Sequence, residues 1–182
     1  MKTLCMLKRY YNIAMKNITC PNCQQLRQPH VDKYHYTESG LQNVWLKGVE
    51  IFECDCGEKF AIIPCRDELH KLIAMKLLKK VDQLSGREIR FLRKHMGLKA
   101  KDFAKQIGVM NVTVSRWERE ETIPPKPIDR LIRFFYATEM KLIDFAPTIK
   151  RIRFRKHIKG KKESPINLPM EGIKKEPCIV NA

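Results

Sequence analysis

The sequence lacks any apolar run that approaches the roughly 20 residues a membrane-spanning helix requires. Its start, residues 1–16, has no continuous apolar stretch ahead of a small-residue cleavage site, which argues against a secretion signal. The five histidines are scattered singly, and none lies beside a serine or cysteine in the setting of an activated nucleophile. We therefore expect a cytoplasmic protein that is not embedded in a membrane and is not an enzyme.

Acidic residues are scarce relative to basic ones, with 20 Asp and Glu against 36 Lys and Arg, a net charge of +16 and a pI near 9.7. Basic side chains bind polyanions by displacing the counterions around phosphates, so nucleic acid is the expected partner. Residues 150–162 alone carry eight Lys or Arg and no acidic residue, which is half of the net charge. The remainder of the chain is only modestly basic.

Seven cysteines in a reducing compartment are available as metal ligands. Cys20 and Cys23 form a C-x-x-C pair, and Cys54 and Cys56 form a second pair with one residue between them. Four thiolates give Zn²⁺ a closed tetrahedral site with no position for a water nucleophile, so we predict a structural zinc held by these cysteines. Because the second spacing is short, Cys65 could replace one ligand, and cysteines without a metal are the other alternative.

Composition and hydrophobic pattern divide the chain into four parts, with a short linker between the second and the third. After an N-terminal extension (1–18), residues 19–81 predict a small antiparallel β domain with strands at 31–37 and 44–53 and one helix at 66–80. This segment has few large apolar clusters, so zinc would supply folding free energy. Residues 81–84 are a short linker, residues 85–146 form a helical domain, and residues 147–182 form a basic, largely disordered tail.

The helical domain begins with an S-x-x-E capping box, Ser85-Gly86-Arg87-Glu88. Further helices are predicted at 101–107, at 111–118 and from Pro127 onward, which makes five in all when short segments are included. The predicted fold is thus α+β, with a zinc-bound antiparallel β domain followed by an all-α five-helix domain.

The second and third helices of this domain have the residues that a helix-turn-helix needs. Ala104 is small where two helices would cross, and Gly108 can form the tight turn. Val114 and Trp117 are apolar on the inner side of the third helix. The residues free to face outward, and predicted to bind DNA, are Asn111, Val112, Thr113, Ser115, Arg116 and Arg119.

The run Phe103 to Val109, followed by Thr113-Val114-Ser115-Arg116-Trp117-Glu118, resembles the Cro/repressor-type helix-turn-helix family. The resemblance implies base contacts from the start and middle of the third helix. Asn111 would suit adenine and Arg116 guanine, while the methyl groups of Val112 and Thr113 would touch thymine. Ala100 and Glu120 stand where the family commonly has glutamine and glycine.

A cysteine-framed sheet followed by such a module is similar to the MqsA-like antitoxins and related zinc-finger transcription regulators. That resemblance implies a structural zinc, a homodimer on a palindromic operator, repression of the protein's own operon and a toxin partner. The competing hypothesis is an RNA- or ribosome-associated zinc protein, in which bases stack on the aromatic residues of the sheet. Those residues are Tyr34, Tyr36, Trp45 and Phe52.

Overall fold

The computed structural model describes residues 17–63, 65–142, 146–151 and 163–170. In these residues five strands are followed by six helices and a final strand. The N-terminal sheet with its cysteine cluster, and the five helices that follow Ser85, confirm the predicted α+β fold. Most of the predicted extension and much of the predicted tail lie outside the described residues.

Two small β units form the N-terminal part. Strands β1 (Ile18–Thr19) and β2 (Leu26–Arg27) pair antiparallel as a short hairpin. Strands β3 (His30–His35), β4 (Val44–Glu53) and β5 (Lys59–Ile62) form a second antiparallel sheet with β4 between the other two. The turns at the ends of β1 and β4 therefore carry the two cysteine pairs.

Strand β4 coincides with the strand predicted at Val44–Glu53, but its alternation of buried and exposed residues is interrupted at its centre. Lys47 and Gly48 are both exposed, Gly48 has φ +77°, and the register with β3 shifts at this point. One extra residue in β4 thus forms a bulge, which keeps the apolar residues after it on the same face as those before it. The buried residues of that face are Val44, Leu46, Val49 and Ile51.

Helix α1 (Arg66–Lys79) ends one residue before its predicted boundary. The i, i+4 series that predicts it, Leu69, Ile73 and Leu77, is buried, as are Ala74 and Leu78. These side chains belong to the same hydrophobic core as the inner face of β4. The sheet therefore packs on an apolar core that it shares with the helices, in contrast to the expectation that zinc replaces a core.

Strand β6 (Ile166–Pro169) lies within the segment expected to be a disordered tail. It pairs in parallel with residues 44–47 of β4, and the Asn43 side chain donates a hydrogen bond to the Ser164 carbonyl at 2.7 Å. Leu168 and Met170 are buried in the core. Since β5 pairs only with residues 50–53 of β4, the first half of that edge is open to another strand. A strand of four residues is too short to show in the sequence pattern.

Five helices follow Ser85: α2 (Gly86–His95), α3 (Ala100–Gln106), α4 (Asn111–Glu118), α5 (Lys126–Glu139) and α6 (Ala146–Arg151). The predicted capping box is confirmed, because Ser85 Oγ accepts from the Glu88 N–H and the Glu88 carboxylate accepts from the Ser85 N–H. The helix predicted at 111–118 is α4. Within the described residues, no helix has both the length and the apolar character that crossing a bilayer demands.

The second half of the segment predicted as a linker, residues 81–84, is buried in the structure. Leu84 is buried, and its N–H donates to Asp129 of α5 at 2.6 Å. Arg133, one turn further along α5, is fully buried and donates to Asp129 at 2.7 Å. The same guanidinium donates, at 2.6–3.1 Å, to the carbonyl oxygens of Leu77, Leu78, Lys80 and Asp82. One side chain thus caps the end of α1 and ties it to α5, and a single core runs through sheet and helices.

Replacing Arg133 by Met should lower the free energy of unfolding by about 3–5 kcal/mol, because it leaves the Asp129 carboxylate and several carbonyl groups buried without their donor. Arg130→Met, an exposed position on the same helix, is the control and should change stability by less than about 0.5 kcal/mol. Urea unfolding followed by circular dichroism measures both. Equal stability of the two variants would contradict this role for Arg133.

Candidate nucleic-acid interface and metal centre

Helices α3 and α4 meet through a glycine turn. Ala104 is 2% exposed at the crossing, and Gly108 has φ +73°. The Val109 N–H donates to the Ala104 carbonyl at 2.9 Å, and the Gly108 N–H donates to the Lys105 carbonyl at 3.3 Å. This pair of reverse hydrogen bonds ends α3 in the left-handed conformation that glycine adopts without strain. The turn predicted from Ala104 and Gly108 therefore has the expected geometry.

Helix α4 has one buried side and one outward side. Val114 and Trp117 are buried, at 0% and 4% exposure. Every residue predicted to bind DNA lies on the remaining surface of the helix or just after it. Asn111, Val112, Arg116 and Arg119 are exposed, and Thr113 and Ser115 are partly buried. The structure thus brings these six residues to one surface, and their contacts with DNA stay a prediction.

A buried ion pair fixes α4 to α2. Arg93 donates through Nε and Nη2 to both carboxylate oxygens of Glu118, at 2.6 and 2.9 Å. Its Nη1 also donates to the Leu98 carbonyl at 2.7 Å. Sequence reasoning did not single out this pair. The signal was present, since Arg93 lies four residues after Ile89 within the apolar stripe of α2.

The start of α2 lies against the end of α4. A Cβ atom at Gly86 would be 2.0 Å from the Trp117 carbonyl oxygen, so only glycine permits this approach. The residue is therefore a packing contact between the two helices as well as part of the capping box. Sequence reasoning identified only its place within the capping box.

Helix α4 ends with the same pair of reverse bonds as α3. The Glu120 N–H donates to the Trp117 carbonyl at 2.8 Å, and the Glu121 N–H donates to the Arg116 carbonyl at 2.9 Å. Glu120 has φ +60°, so a glutamate takes the left-handed conformation here in place of the family's usual glycine. The turn brings the Glu121 carboxylate to 2.6 Å from Arg119 Nε and 3.6 Å from Arg116 Nε. Its hydrogen bond raises the pKa of Arg119.

Two tight turns present the cysteines. In the first, the Cys20 N–H donates to the Gln25 carbonyl at 2.9 Å, and Gln24 takes φ +61°. In the second, the Cys54 N–H donates to the Glu58 carbonyl at 2.9 Å, and Gly57 takes φ +92°. Each turn closes its own hydrogen bonds and aims its two thiols toward the other turn.

The four sulfur atoms form one compact cluster. All lie within 4.8 Å of one another, with 3.6 Å between Cys20 and Cys56 and 3.4 Å between Cys23 and Cys54. Four sulfur ligands at about 2.3 Å from a tetrahedral Zn²⁺ would be about 3.8 Å apart. The geometry therefore fits zinc, and the short second spacing does not prevent it. Cys65 lies at the start of α1 and does not belong to the cluster.

Electrostatics within the cluster favour a bound cation. Hydrogen bonds from backbone N–H groups, that of Cys23 above all, lower the pKa of Cys20 to about 7. For Cys23 the N–H of Gln25 acts in the same direction, but the neighbouring thiol groups outweigh it and raise the pKa to about 12. Four thiolates at this spacing need a positive charge between them, which a divalent metal supplies.

The cluster packs on a small apolar group of its own. Phe52 of β4 is fully buried and stacks on Phe60 of β5 with 4.7 Å between ring centroids. Cys20, Cys54 and the partly buried Ile18 complete the group. It is separate from the main core, so zinc would stabilise mainly the β1–β2 hairpin and the β4–β5 turn.

Comparison with known families supports the reading of the helical part. Residues 89–135 match a family model described as helix-turn-helix. The match includes the whole of α3 and α4 and most of α2 and α5. This part of the chain is therefore a helix-turn-helix domain of the kind that serves DNA-binding transcription regulators. No curated protein and no solved structure matches the chain.

Gly86→Ala should lower the free energy of unfolding by about 1–3 kcal/mol, because the added Cβ collides with the backbone of Trp117 and forces α2 away from α4. Arg87→Ala, which changes the exposed neighbour, is the control and should alter stability by less than about 0.5 kcal/mol. Thermal and urea unfolding measure the effect. A Gly86→Ala variant as stable as the control would contradict the close contact between α2 and α4 at Gly86.

The purified protein should contain about one zinc ion per chain by atomic absorption, and Cys23→Ala and Cys56→Ala should each abolish tight binding. Cys65→Ala is the control and should retain the metal. Chelation should remove hydrogen-exchange protection from residues 18–27 and 54–60 while α2 to α5 keep theirs, because the main core does not include the cluster. Loss of zinc on Cys65→Ala, or global unfolding on chelation, would contradict this assignment.

Proposed function

We propose that this protein is a sequence-specific transcription regulator, without enzymatic activity, that binds duplex DNA through α4. The observation that carries the proposal is the two-sided character of that helix. Val114 and Trp117 anchor it inward, while the residues predicted to bind DNA lie on its remaining surface, with Asn111 and Arg116 exposed. An α-helix with its side chains is about 10–12 Å across, which matches a major groove about 12 Å wide.

Each outward residue has a role that its chemistry suits. Arg116 offers paired donors to the O6 and N7 atoms of guanine, and Asn111 offers a donor and an acceptor to adenine. Val112, 53% exposed, and Thr113 present methyl groups that fit the methyl of thymine. Ser115 and Arg119 flank these side chains and would contact phosphate oxygens.

Phosphate contacts also have candidates on α3 and just before it. Ala100 has no hydrogen-bonding side chain where the Cro/repressor family commonly has glutamine. Lys99, Lys101 and Lys105 are all exposed around it. Lysine binds phosphate as a point charge, so these residues would supply sequence-independent affinity.

We propose further that the protein binds as a homodimer on a palindromic operator and acts as a repressor. One recognition helix contacts few base pairs, and a two-fold dimer engages half-sites one helical turn apart. Among the apolar residues of α5, Ile132 is buried within the chain, but Leu131 is 43% exposed. Leu131 and its neighbours Ile128 and Phe135 are therefore the proposed dimer surface.

An antitoxin role is a narrower proposal, which rests on the resemblance to MqsA-like proteins. In that role the zinc centre is structural and the cysteine-bearing end of the sheet faces a toxin. The identity of the neighbouring reading frame tests it. A short, basic, ribonuclease-like protein encoded there would support the antitoxin role.

The alternative of a single-stranded RNA binder has less support, because the sheet aromatics are engaged internally. Tyr36 and Phe52 are buried. Trp45 stacks on His35 with 4.3 Å between ring centroids, and Lys33 Nζ lies 4.3 Å from its ring. Tyr34 is partly buried against the main core, and its hydroxyl donates a hydrogen bond to Glu38. These contacts disfavour the base stacking that single-stranded RNA binding uses.

The direct experiment selects duplexes from a randomised pool with the full-length, zinc-loaded protein. Enrichment of a two-fold symmetric sequence supports the regulator, and that duplex should outcompete single-stranded RNA by orders of magnitude. Equal or better binding of RNA would favour the alternative. Sedimentation of the complex gives the number of chains on each duplex and tests the dimer.

Arg116→Ala should relax discrimination at one base position of the selected duplex, at a cost of about 1–3 kcal/mol there. Lys101→Ala is the contrasting variant, which should weaken binding to all sequences alike and lower the salt slope by about 1. Fluorescence anisotropy against single-base variants of the duplex measures both. An Arg116→Ala variant that loses affinity uniformly would remove the assignment of Arg116 to base recognition.

A further inference from the structure

The acidic residue Glu121 lies among the side chains that the proposed function assigns to DNA. Its carboxylate is 2.6 Å from Arg119 Nε and 3.6 Å from Arg116 Nε. All three side chains are accessible, at 45% exposure for Glu121, 59% for Arg116 and 60% for Arg119. A carboxylate at this place repels phosphate, so its presence on a DNA-binding surface needs a physical reason.

The position of Glu121 is set by the backbone and not by a free loop. Its N–H donates to the Arg116 carbonyl at 2.9 Å, and the preceding residue, Glu120, holds the left-handed conformation that turns the chain back. Glu120 N–H donates in turn to the Trp117 carbonyl at 2.8 Å. The carboxylate therefore keeps a fixed place relative to α4, whose own position is fixed by the buried Arg93–Glu118 pair.

Resting on the proposed function, we propose that Glu121 is a specificity-determining residue, which competes with phosphate for the guanidinium groups of Arg116 and Arg119. Phosphates attract arginine in any sequence and account for most non-specific affinity. With Glu121 present, Arg116 leaves the carboxylate only for an acceptor pair that replaces this ion pair. The O6 and N7 atoms of guanine form such a pair, whereas a mismatched base edge does not.

The consequence is that Glu121 changes the affinity for matched and mismatched duplexes by different amounts. In a matched duplex, Arg116 exchanges the carboxylate for guanine and the energy of the exchange is nearly balanced. In a mismatched duplex, Arg116 gains little by leaving Glu121, and the carboxylate still repels the backbone. Glu121 should thus weaken binding to unrelated DNA more than binding to the operator.

The test uses Glu121→Gln, which keeps the shape and removes the charge. Its affinity is compared with that of the wild type for two duplexes, the one the wild type selects from a randomised pool and a scrambled duplex of the same composition. Affinity for the scrambled duplex should rise about three- to fivefold, the upper part of the range for an exposed ion pair, and affinity for the selected duplex by less than about twofold. Glu139→Gln, at an exposed position at the end of α5, is the matched charge control and should change both duplexes equally.

The ratio of the affinities for the selected and the scrambled duplex measures specificity. In an Arg116→Ala background the Glu121→Gln change should alter this ratio much less, because Glu121 has then lost one of its two arginine partners. An equal gain on both duplexes, or the same result from Glu139→Gln, would reduce the effect to net charge and overturn the proposal. A loss of affinity confined to the selected duplex would overturn it as well. If the wild type selects no duplex, the proposed function is contradicted, and so is this proposal, which rests on it.

Discussion

The buried ion pair between Arg93 and Glu118 is the interaction on which the proposed DNA interface most depends. It joins the last turn of α2 to the end of α4 through two hydrogen bonds at 2.6 and 2.9 Å. Together with Trp117 and the close approach at Gly86, it fixes the angle at which α4 leaves the body of the protein. Base recognition needs such rigidity, because side chains on a mobile helix would lose the alignment that distinguishes one base edge from another.

The second constraint is the shared core. Arg133 links the end of α1 to α5, and apolar residues of sheet and helices form one continuous cluster. The inner face of the sheet is therefore packed on the same core as the helices, while the cysteine cluster lies outside that core. A metal bound by the four cysteines would then have a local task, to hold two short turns together, because the main core does not include the cluster.

Much of the helix-turn-helix fold could be predicted from the sequence. The capping and turn residues and the spacing of apolar residues all indicate the same helices. The capping box at Ser85, the glycine turn at Gly108 and the apolar positions of α4 each encode their structure within a few residues. The four cysteines were identified by residue type alone, since few other arrangements explain two such pairs flanking a sheet. The outward residues of α4 follow from the same helical period that buries Val114 and Trp117.

What could not be predicted depends on partners far apart in the chain. Strand β6 pairs with residues about 120 positions earlier, and four residues carry too little pattern to show it. Partners of Arg133 and Arg93 lie as far as 56 and 25 residues away in the chain, so the sequence alone does not identify them. The place of Glu121 depends on the left-handed backbone conformation of Glu120. Sequence rules expect that conformation at glycine and not at glutamate.

The most direct test is an NMR titration of the isotope-labelled protein with a duplex that it selects. The backbone amide signal of each residue is monitored as DNA is added. The account predicts that the largest changes fall on residues 110–121, with smaller ones at 99–105, and that the cysteine-bearing turns at 20–25 and 54–58 stay unchanged. Changes centred on the sheet or on the cysteine cluster, with α4 unaffected, would contradict it.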